Sequence, residues 1–243
     1  HYIICGKDDI SNFCKIAGLS FLGIVQCTHN DAFQQRYLMD NRPIGIFDYG
    51  LGGLTCVKRV MELLPGETLV VDFGQNAAAV PAFEFKAEEG TVLTCLPAEL
   101  LNDGNGARSR GMDGPEGSCH RLNLRTPNDG MILEYTFAGD EDYVGYSPRC
   151  TFFGYRFVSI TVTAPVKIKA ISSIPVTSVK AEHETGRITT GNEDVNRLIS
   201  NTIWGMNSNY LSVPTDCPQR NERLGWTADT QVFAETGSFF ANT

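Results

Sequence analysis

Two consecutive segments, Tyr155-Arg-Phe-Val-Ser-Ile-Thr-Val-Thr163 and Val166-Lys-Ile-Lys-Ala-Ile171, have the pattern of β-strands. Apolar and polar side chains alternate along both segments, so that one face of each strand would be buried and the other exposed. The alternation therefore predicts two half-buried strands.

Four more segments between residues 68 and 138 have strand character. They are residues 68–73, 82–86, 91–95 and 131–138. Residues 102–130 are rich in Gly, Asn, Asp and Arg and are predicted to form a long surface loop. Many short strands separated by turns favour an antiparallel β-sandwich domain over residues 68–180. Its predicted core includes the aromatic residues Phe152, Phe153, Tyr155 and Phe157, which strand spacing favours over a sugar-stacking role.

Composition excludes several classes of protein. The 243 residues are 42% hydrophobic and 20% charged, with a formal net charge of −8, which is typical of a globular protein and unlike a nucleic-acid-binding one. No apolar run reaches the roughly 18 residues of a membrane span, so no membrane partner is predicted. Eight cysteines include no Cys-x-x-Cys pair, and we predict no metal and no cofactor. The chain begins with His1 and has no visible signal peptide, so it indicates neither a compartment nor its native start.

The first 67 residues contain a strand, a glycine turn and a helical pattern from Leu54 to Leu64. The segment Arg42-Pro-Ile-Gly-Ile-Phe-Asp-Tyr-Gly-Leu-Gly-Gly-Leu-Thr55 resembles the amino-terminal motif of glutamate racemases over about residues 42–67, with Tyr49 where that family has serine. Neither cysteine that racemases use as acid and base has a downstream counterpart. We therefore treat residues 1–67 as an unassigned, small α/β-like segment, and a racemase-like isomerase as the less favoured function.

Two helices are predicted after residue 190. Asn192 is placed to cap the first, along which apolar residues recur at intervals of three, four and seven to eight. The second is predicted over about residues 227–240. Its apolar residues Val232, Phe233, Phe239 and Phe240 are expected to be buried.

The loop between these helices concentrates polar chemistry. Within fourteen residues it places acids, guanidinium groups and an indole: Asp216, Arg220, Glu222, Arg223, Trp226 and Asp229. A sugar site needs a proton donor, acceptors for hydroxyls and a flat apolar face, and these side chains supply all three. The alternative is a solvated, salt-bridged connection in which Trp226 plugs the helix pair.

The segment Asp216-Cys-Pro-Gln-Arg-Asn-Glu-Arg-Leu-Gly-Trp-Thr-Ala-Asp229 resembles the signature of bacterial and fungal α-L-rhamnosidases of glycoside hydrolase family 78. Ala228 stands where that family commonly has glycine. Three other segments resemble the family's β-sandwich in the same order: Val71-Asp-Phe-Gly-Gln-Asn76, Asn123-Leu-Arg125 and Tyr146-Ser-Pro-Arg-Cys-Thr-Phe-Phe-Gly-Tyr-Arg-Phe157. The resemblance covers about residues 68–243.

The resemblance implies a role for each matching residue. Glu222 matches the general acid that protonates the glycosidic oxygen, and Asp216 and Asp229 match carboxylates that bind sugar hydroxyls. Trp226 matches the aromatic that lines the apolar side of the sugar, and Arg220 is expected to orient the acids. The implied substrate is a rhamnose-containing oligosaccharide or glycoside.

The same resemblance implies an inverting mechanism whose general base lies downstream, on an (α/α)6 barrel. Residues 190–243 hold two helices, so we expect a fragment of the glycosidase: a β-sandwich followed by the first helical hairpin of an incomplete six-hairpin barrel, inactive on its own. A carbohydrate-binding β-sandwich module and a structural scaffold stay open as alternatives. The sequence indicates neither the linkage preference nor the oligomeric state.

Overall fold

A computed structural model describes residues 2–5, 44–47, 61–105, 113–124 and 131–242. Its strands, in chain order, are β1 Tyr2–Cys5, β2 Ile44–Phe47, β3 Met61–Leu63, β4 Leu69–Ala87, β5 Val92–Ala98, β6 Leu100–Leu101, β7 Cys119–His120, β8 Leu133–Thr136, β9 Val144–Tyr146, β10 Phe153–Val162, β11 Val166–Pro175, β12 Tyr210–Leu211 and β13 Val213–Pro214. The helices are α1 Glu193–Asn209 and α2 Thr227–Phe240, and short 3-10 turns cover Leu122–Leu124 and Ala181–His183.

The long strand β4 organises the β-sandwich. Along one path the strands run β1-β2-β4-β10-β5-β8, and the second half of β4 also pairs with β9 and β11. All pairs are antiparallel except β1 with β2 and β2 with β4, which are parallel. The prediction of an antiparallel sandwich followed by a helical hairpin is confirmed.

A bulge lets β4 continue where the sequence predicted two separate strands. Gly74 has φ +77°, a left-handed conformation that glycine adopts without steric cost. Its N–H donates to Asp72 Oδ1 at 2.7 Å, and the pairing register shifts opposite, between Tyr155 and Phe157. Arg156 closes the bulge with two hydrogen bonds to the buried Asp72, each of 2.7 Å. Gly74 directly follows the strand predicted over residues 68–73, and in the structure it is the bulge residue of one continuous strand.

The prediction of a half-buried strand is confirmed for β11 and wrong for β10, in which only Arg156 and Thr161 are not buried. Val158 and Ile160 of β10 and Val166 and Ile168 of β11 are fully buried, as are Leu69 and Phe85 of β4. Of the predicted core aromatics, Phe153, Tyr155 and Phe157 are buried, whereas Phe152 is only partly so. Their burial supports the core role over a sugar-stacking one for these three residues.

The helical hairpin packs against β4 of the sandwich. Asn192 caps α1 as predicted, its Oδ1 accepting from the N–H groups of Asp194 and Val195 at 2.9 and 3.2 Å. Ser208 near the end of α1 accepts a hydrogen bond from the N–H of Ala78 in β4 at 3.1 Å. A second small core joins the hairpin to the linker before it: Val179, Met206, Phe240 and Ala241.

Two expectations about local structure are wrong. Val232 and Phe239 of α2 are 84% and 48% exposed, because the buried face of this helix carries Phe233, Gly237 and Phe240, and Val232 points away from it. Met61–Leu63 is a strand rather than the end of a helix, since it pairs with Val166–Ile168 of β11. The rest of the helix predicted from Leu54, like most of residues 1–60, lies outside the described residues.

The domain limits at 67/68 and 180/190 stay predictions. No helix in the described ranges is long and apolar enough to cross a membrane.

Hydrogen bonds to the Asp113 carboxylate hold together part of the segment between β6 and β8. It accepts from the backbone N–H groups of Arg121 and Leu122 at 2.7 and 2.9 Å, and its Oδ1 lies 2.9 Å from His120 Nδ1. Burial would raise the pKa of this carboxyl, but hydrogen bonds from Arg121, His120 and Asn102 lower it to about 2. The folded state therefore favours the ionised form.

This low pKa predicts a pH-dependent stability. Because the folded pKa lies below the unfolded value, the stabilisation is complete above about pH 4 to 5 and is lost as the pH falls towards 2. We expect the melting temperature of the parent chain to fall more steeply over that range than that of Asp113→Asn, as followed by circular dichroism. Asp142→Asn, at an exposed position, is the matched control and should follow the parent. Parallel curves for the parent and Asp113→Asn would contradict the prediction.

Candidate active site

The loop between β13 and α2 brings three predicted site residues together. Arg220 Nε donates to Glu222 Oε2 at 2.7 Å, and Arg220 Nη2 lies 3.9 Å from Asp216 Oδ2. The side chains of Asp216, Arg220 and Glu222 are 12%, 19% and 28% exposed, so the cluster is largely sheltered from solvent. The hydrogen bond to Glu222 raises the pKa of Arg220, which stays charged between the two acids.

Asp216 has one oxygen that accepts a hydrogen bond from the protein and one that has no partner among the described residues. Its Oδ2 accepts a hydrogen bond from Cys217 Sγ at 3.1 Å. Burial raises the pKa of Cys217 to about 12, so this thiol remains a neutral donor. The other oxygen, Oδ1, is buried and has no hydrogen-bond partner among the described residues. A buried acceptor without a partner is costly, so Oδ1 is suited to receive a hydroxyl group from a ligand.

Trp226 and Asp229 occupy a different position. Trp226 immediately precedes α2 and is 46% exposed, and Asp229 is an exposed residue in the first turn of that helix. Within the described ranges, no hydrogen bond or ion pair links either side chain to the Asp216–Arg220–Glu222 cluster. The exposed Trp226 also contradicts the alternative in which its indole plugs the helix pair.

Arg223 has a structural role that its sequence context does not reveal. Its Nη2 donates to the carbonyl oxygen of Phe152 at 2.7 Å, and its guanidinium carbon lies 3.9 Å from the centre of the Phe152 ring. The only signal in the sequence is that both residues fall within segments that resemble the same family. The contact joins residues 71 positions apart, which periodicity and spacing cannot predict.

The cluster contains side chains able to hold a cation. One ligand atom from each of Asp216, Cys217 and Glu222 lies within 4.8 Å of the others. Arg220 already supplies one positive charge to the two carboxylates, so the protein itself offsets part of their negative charge. The short separation matters for another reason: two carboxylates this close leave less room than the roughly 6.5–9.5 Å that an inverting pair needs for its water.

Two family models match consecutive parts of the chain. Residues 62–181 match the bacterial alpha-L-rhamnosidase concanavalin-like domain. Residues 183–243 match the bacterial alpha-L-rhamnosidase 6 hairpin glycosidase domain. The boundary between the two models lies in the linker between β11 and α1.

Individual α-L-rhamnosidases cover the same region. The chain is 35% identical over 182 residues to the enzyme of Streptomyces avermitilis and 31% identical over 181 residues to that of Formosa agariphila. It superposes with a TM-score of 0.59 and 30% identity on the Streptomyces avermitilis alpha-L-rhamnosidase complexed with L-rhamnose, covering 78% of this chain and 17% of that one. Over residues 62–243 the chain belongs to the bacterial α-L-rhamnosidases, which are glycoside hydrolases. The two sequence matches span 75% and 74% of this chain but only 16% and 18% of the relatives themselves.

The racemase resemblance is also found, and it is short. The chain is 62% identical over 51 residues to the glutamate racemase of Thermoanaerobacter pseudethanolicus, which is 21% of this chain and 19% of that protein. So short a match shows a related segment and carries no argument for racemase activity.

Proposed function

We propose that the chain is part of an inverting glycoside hydrolase that releases terminal α-L-rhamnose, with Glu222 as its general acid. The observation that carries this proposal is the Arg220 guanidinium between Glu222 and Asp216, in a loop of a chain from this family. Glu222 is partly exposed, so its carboxyl group can reach a glycosidic oxygen, and Arg220 limits the directions in which it can point.

Asp216 and Trp226 would hold the sugar. Asp216 Oδ1 is a buried acceptor without a protein partner in the described region, and a rhamnose hydroxyl would satisfy it. The indole of Trp226 offers an exposed apolar surface for the C–H groups of the ring, and Asp229 offers a second carboxylate close to it in sequence. The complex of the Streptomyces avermitilis relative with L-rhamnose supports rhamnose as the sugar.

The general base is a separate carboxylate. In an inverting reaction it activates a water on the side of the sugar opposite to the acid, about 6.5–9.5 Å away. Asp216 is a poor candidate for that role, because one of its oxygens lies within 4.8 Å of one oxygen of Glu222. The family resemblance implies a base on a later hairpin of the barrel.

A hybrid enzyme tests the proposal. Residues 62–243 would replace the matching segment of the Streptomyces avermitilis relative, which supplies the remaining hairpins. We expect the hybrid to hydrolyse p-nitrophenyl α-L-rhamnoside and, by proton NMR, to release rhamnose first as the β-anomer. A folded hybrid that produces no rhamnose, or that retains the α-configuration, would contradict the proposal.

Binding should depend on Trp226 and Asp216. In a hybrid that carries Glu222→Gln to prevent turnover, Trp226→Ala should weaken rhamnose binding by about 1–3 kcal/mol through lost apolar contact. Asp216→Asn should weaken it through altered hydrogen bonding to hydroxyls. Titration calorimetry measures both, and Leu224→Ala, at another exposed apolar residue of the loop, is the control. If both variants bind like the parent, the loop is only a structural connection.

A further inference from the structure

One side chain of the acid-bearing loop makes several contacts with the β-sandwich. Arg223 donates to the Phe152 carbonyl and covers the Phe152 ring at 3.9 Å. Its Nη2 also lies 3.8 Å from the Sδ of Met131, a buried residue of the sandwich core. A planar guanidinium can stack on a ring and donate in its own plane at the same time, which a lysine ammonium cannot reproduce.

The backbone of the same loop touches the sandwich at a second point. A Cβ placed on Gly154 would lie 2.5 Å from the backbone nitrogen of Gln219 and 2.6 Å from the carbonyl carbon of Pro218. Backbone atoms cannot swing aside as a flexible side chain does, so any larger residue at 154 would displace the loop. Gly154 therefore permits a direct approach of the loop to the start of β10.

Along the chain, these two contacts flank Arg220 and Glu222. Pro218 and Gln219 precede Arg220 and Glu222 in the chain, and Arg223 follows them. Arg223 also has φ +36°, a left-handed conformation that is unfavourable for a residue with a side chain. Its contacts with Phe152 offset that strain and thereby fix the backbone direction at the neighbouring Glu222.

We propose that Arg223 and Gly154 are positioning residues, which hold the loop bearing Glu222 against the β-sandwich and so make the sandwich part of the catalytic apparatus. The inference rests on the proposed role of Glu222 as general acid. Arg223 fixes the backbone that follows Glu222. Gly154 leaves room for the backbone that precedes Glu222.

Hydrogen exchange on the full 243-residue chain tests the positioning itself. Arg223→Ala and Gly154→Ala should each increase amide exchange in peptides covering residues 215–226, by about tenfold or more, while peptides of β5 and β11 keep their protection. The matched controls are Arg197→Ala, at an exposed arginine of α1, and Gly145→Ala, where a Cβ meets nothing within 4 Å. Unchanged exchange in both test variants would overturn the proposal.

Kinetics in the hybrid enzyme test the consequence for catalysis. A displaced acid protonates poor leaving groups badly, so Arg223→Ala and Gly154→Ala should lower kcat/KM about 10²-fold on alkyl rhamnosides and less on p-nitrophenyl rhamnoside. Arg223→Lys, which keeps the charge and one donor, should recover part of the loss. A merely structural role would reduce both substrates equally, and that result would overturn the proposal. If the parent hybrid itself is inactive, the proposed function fails, while the exchange experiment still decides whether the loop is held in place.

Discussion

In the hybrid enzyme, Glu222→Gln should lower kcat/KM for alkyl α-L-rhamnosides by about 10²–10⁴-fold, the range for loss of a general acid. An alkoxide is a poor leaving group, so the glycosidic oxygen must receive a proton as the bond breaks. For p-nitrophenyl α-L-rhamnoside the loss should be much smaller, because the phenolate leaves without full protonation. Glutamine keeps the size of the side chain and can still accept from Arg220, so the change removes mainly the proton.

The comparison between substrates is the decisive measurement. Glu193→Gln, at an exposed acid in the first turn of α1, is the matched control and should leave both substrates unaffected. Equal losses on the two substrates with Glu222→Gln would show that Glu222 is not the proton donor.

A polypeptide of residues 1–243 should release no rhamnose from p-nitrophenyl α-L-rhamnoside above the rate of the substrate in buffer alone. Loss of a general base alone costs about 10²–10⁴-fold, and the single hairpin also leaves the sugar site without its other walls. We do not expect Asp216 to replace the base, since one of its oxygens lies within 4.8 Å of one oxygen of Glu222. Release of p-nitrophenol is the measurement, and the hybrid enzyme is the positive control.

Clear turnover by this polypeptide, above the rate in buffer alone, would contradict the expectation. The base would then be an acid already present in residues 1–243. Asp229 and Glu235, both exposed on α2, would be the first to replace.

The elements that the sequence predicted well have local signals. Asn192 begins α1 because its side chain satisfies the first free N–H groups of the helix, and such a cap depends on only four consecutive residues. The alternation in β11 likewise reflects the burial of one face of the strand. The proximity of Asp216, Arg220 and Glu222 could also be predicted from the sequence, since all three belong to one loop.

What the sequence did not predict depends on contacts between distant residues. The bulge in β4 is stabilised by Arg156, which lies 84 positions from Asp72. Met61–Leu63 becomes a strand because Val166–Ile168 is beside it to pair with. Val232 and Phe233 are adjacent and both apolar, and only the position of α1 and the linker decides which of them is covered.

The ends of the helical hairpin are joined to each other. Glu184 before α1 forms an antiparallel bridge with Ala241 after α2, and the N–H of Asn242 donates to the carbonyl of His183 at 2.7 Å. The chain therefore enters and leaves this unit at the same place, an arrangement that tolerates the exchange of whole segments during evolution. Recombination between related genes at these two points would transfer the acid-bearing loop intact. The transferred loop would keep its geometry only where the recipient sandwich leaves the space that Gly154 leaves here.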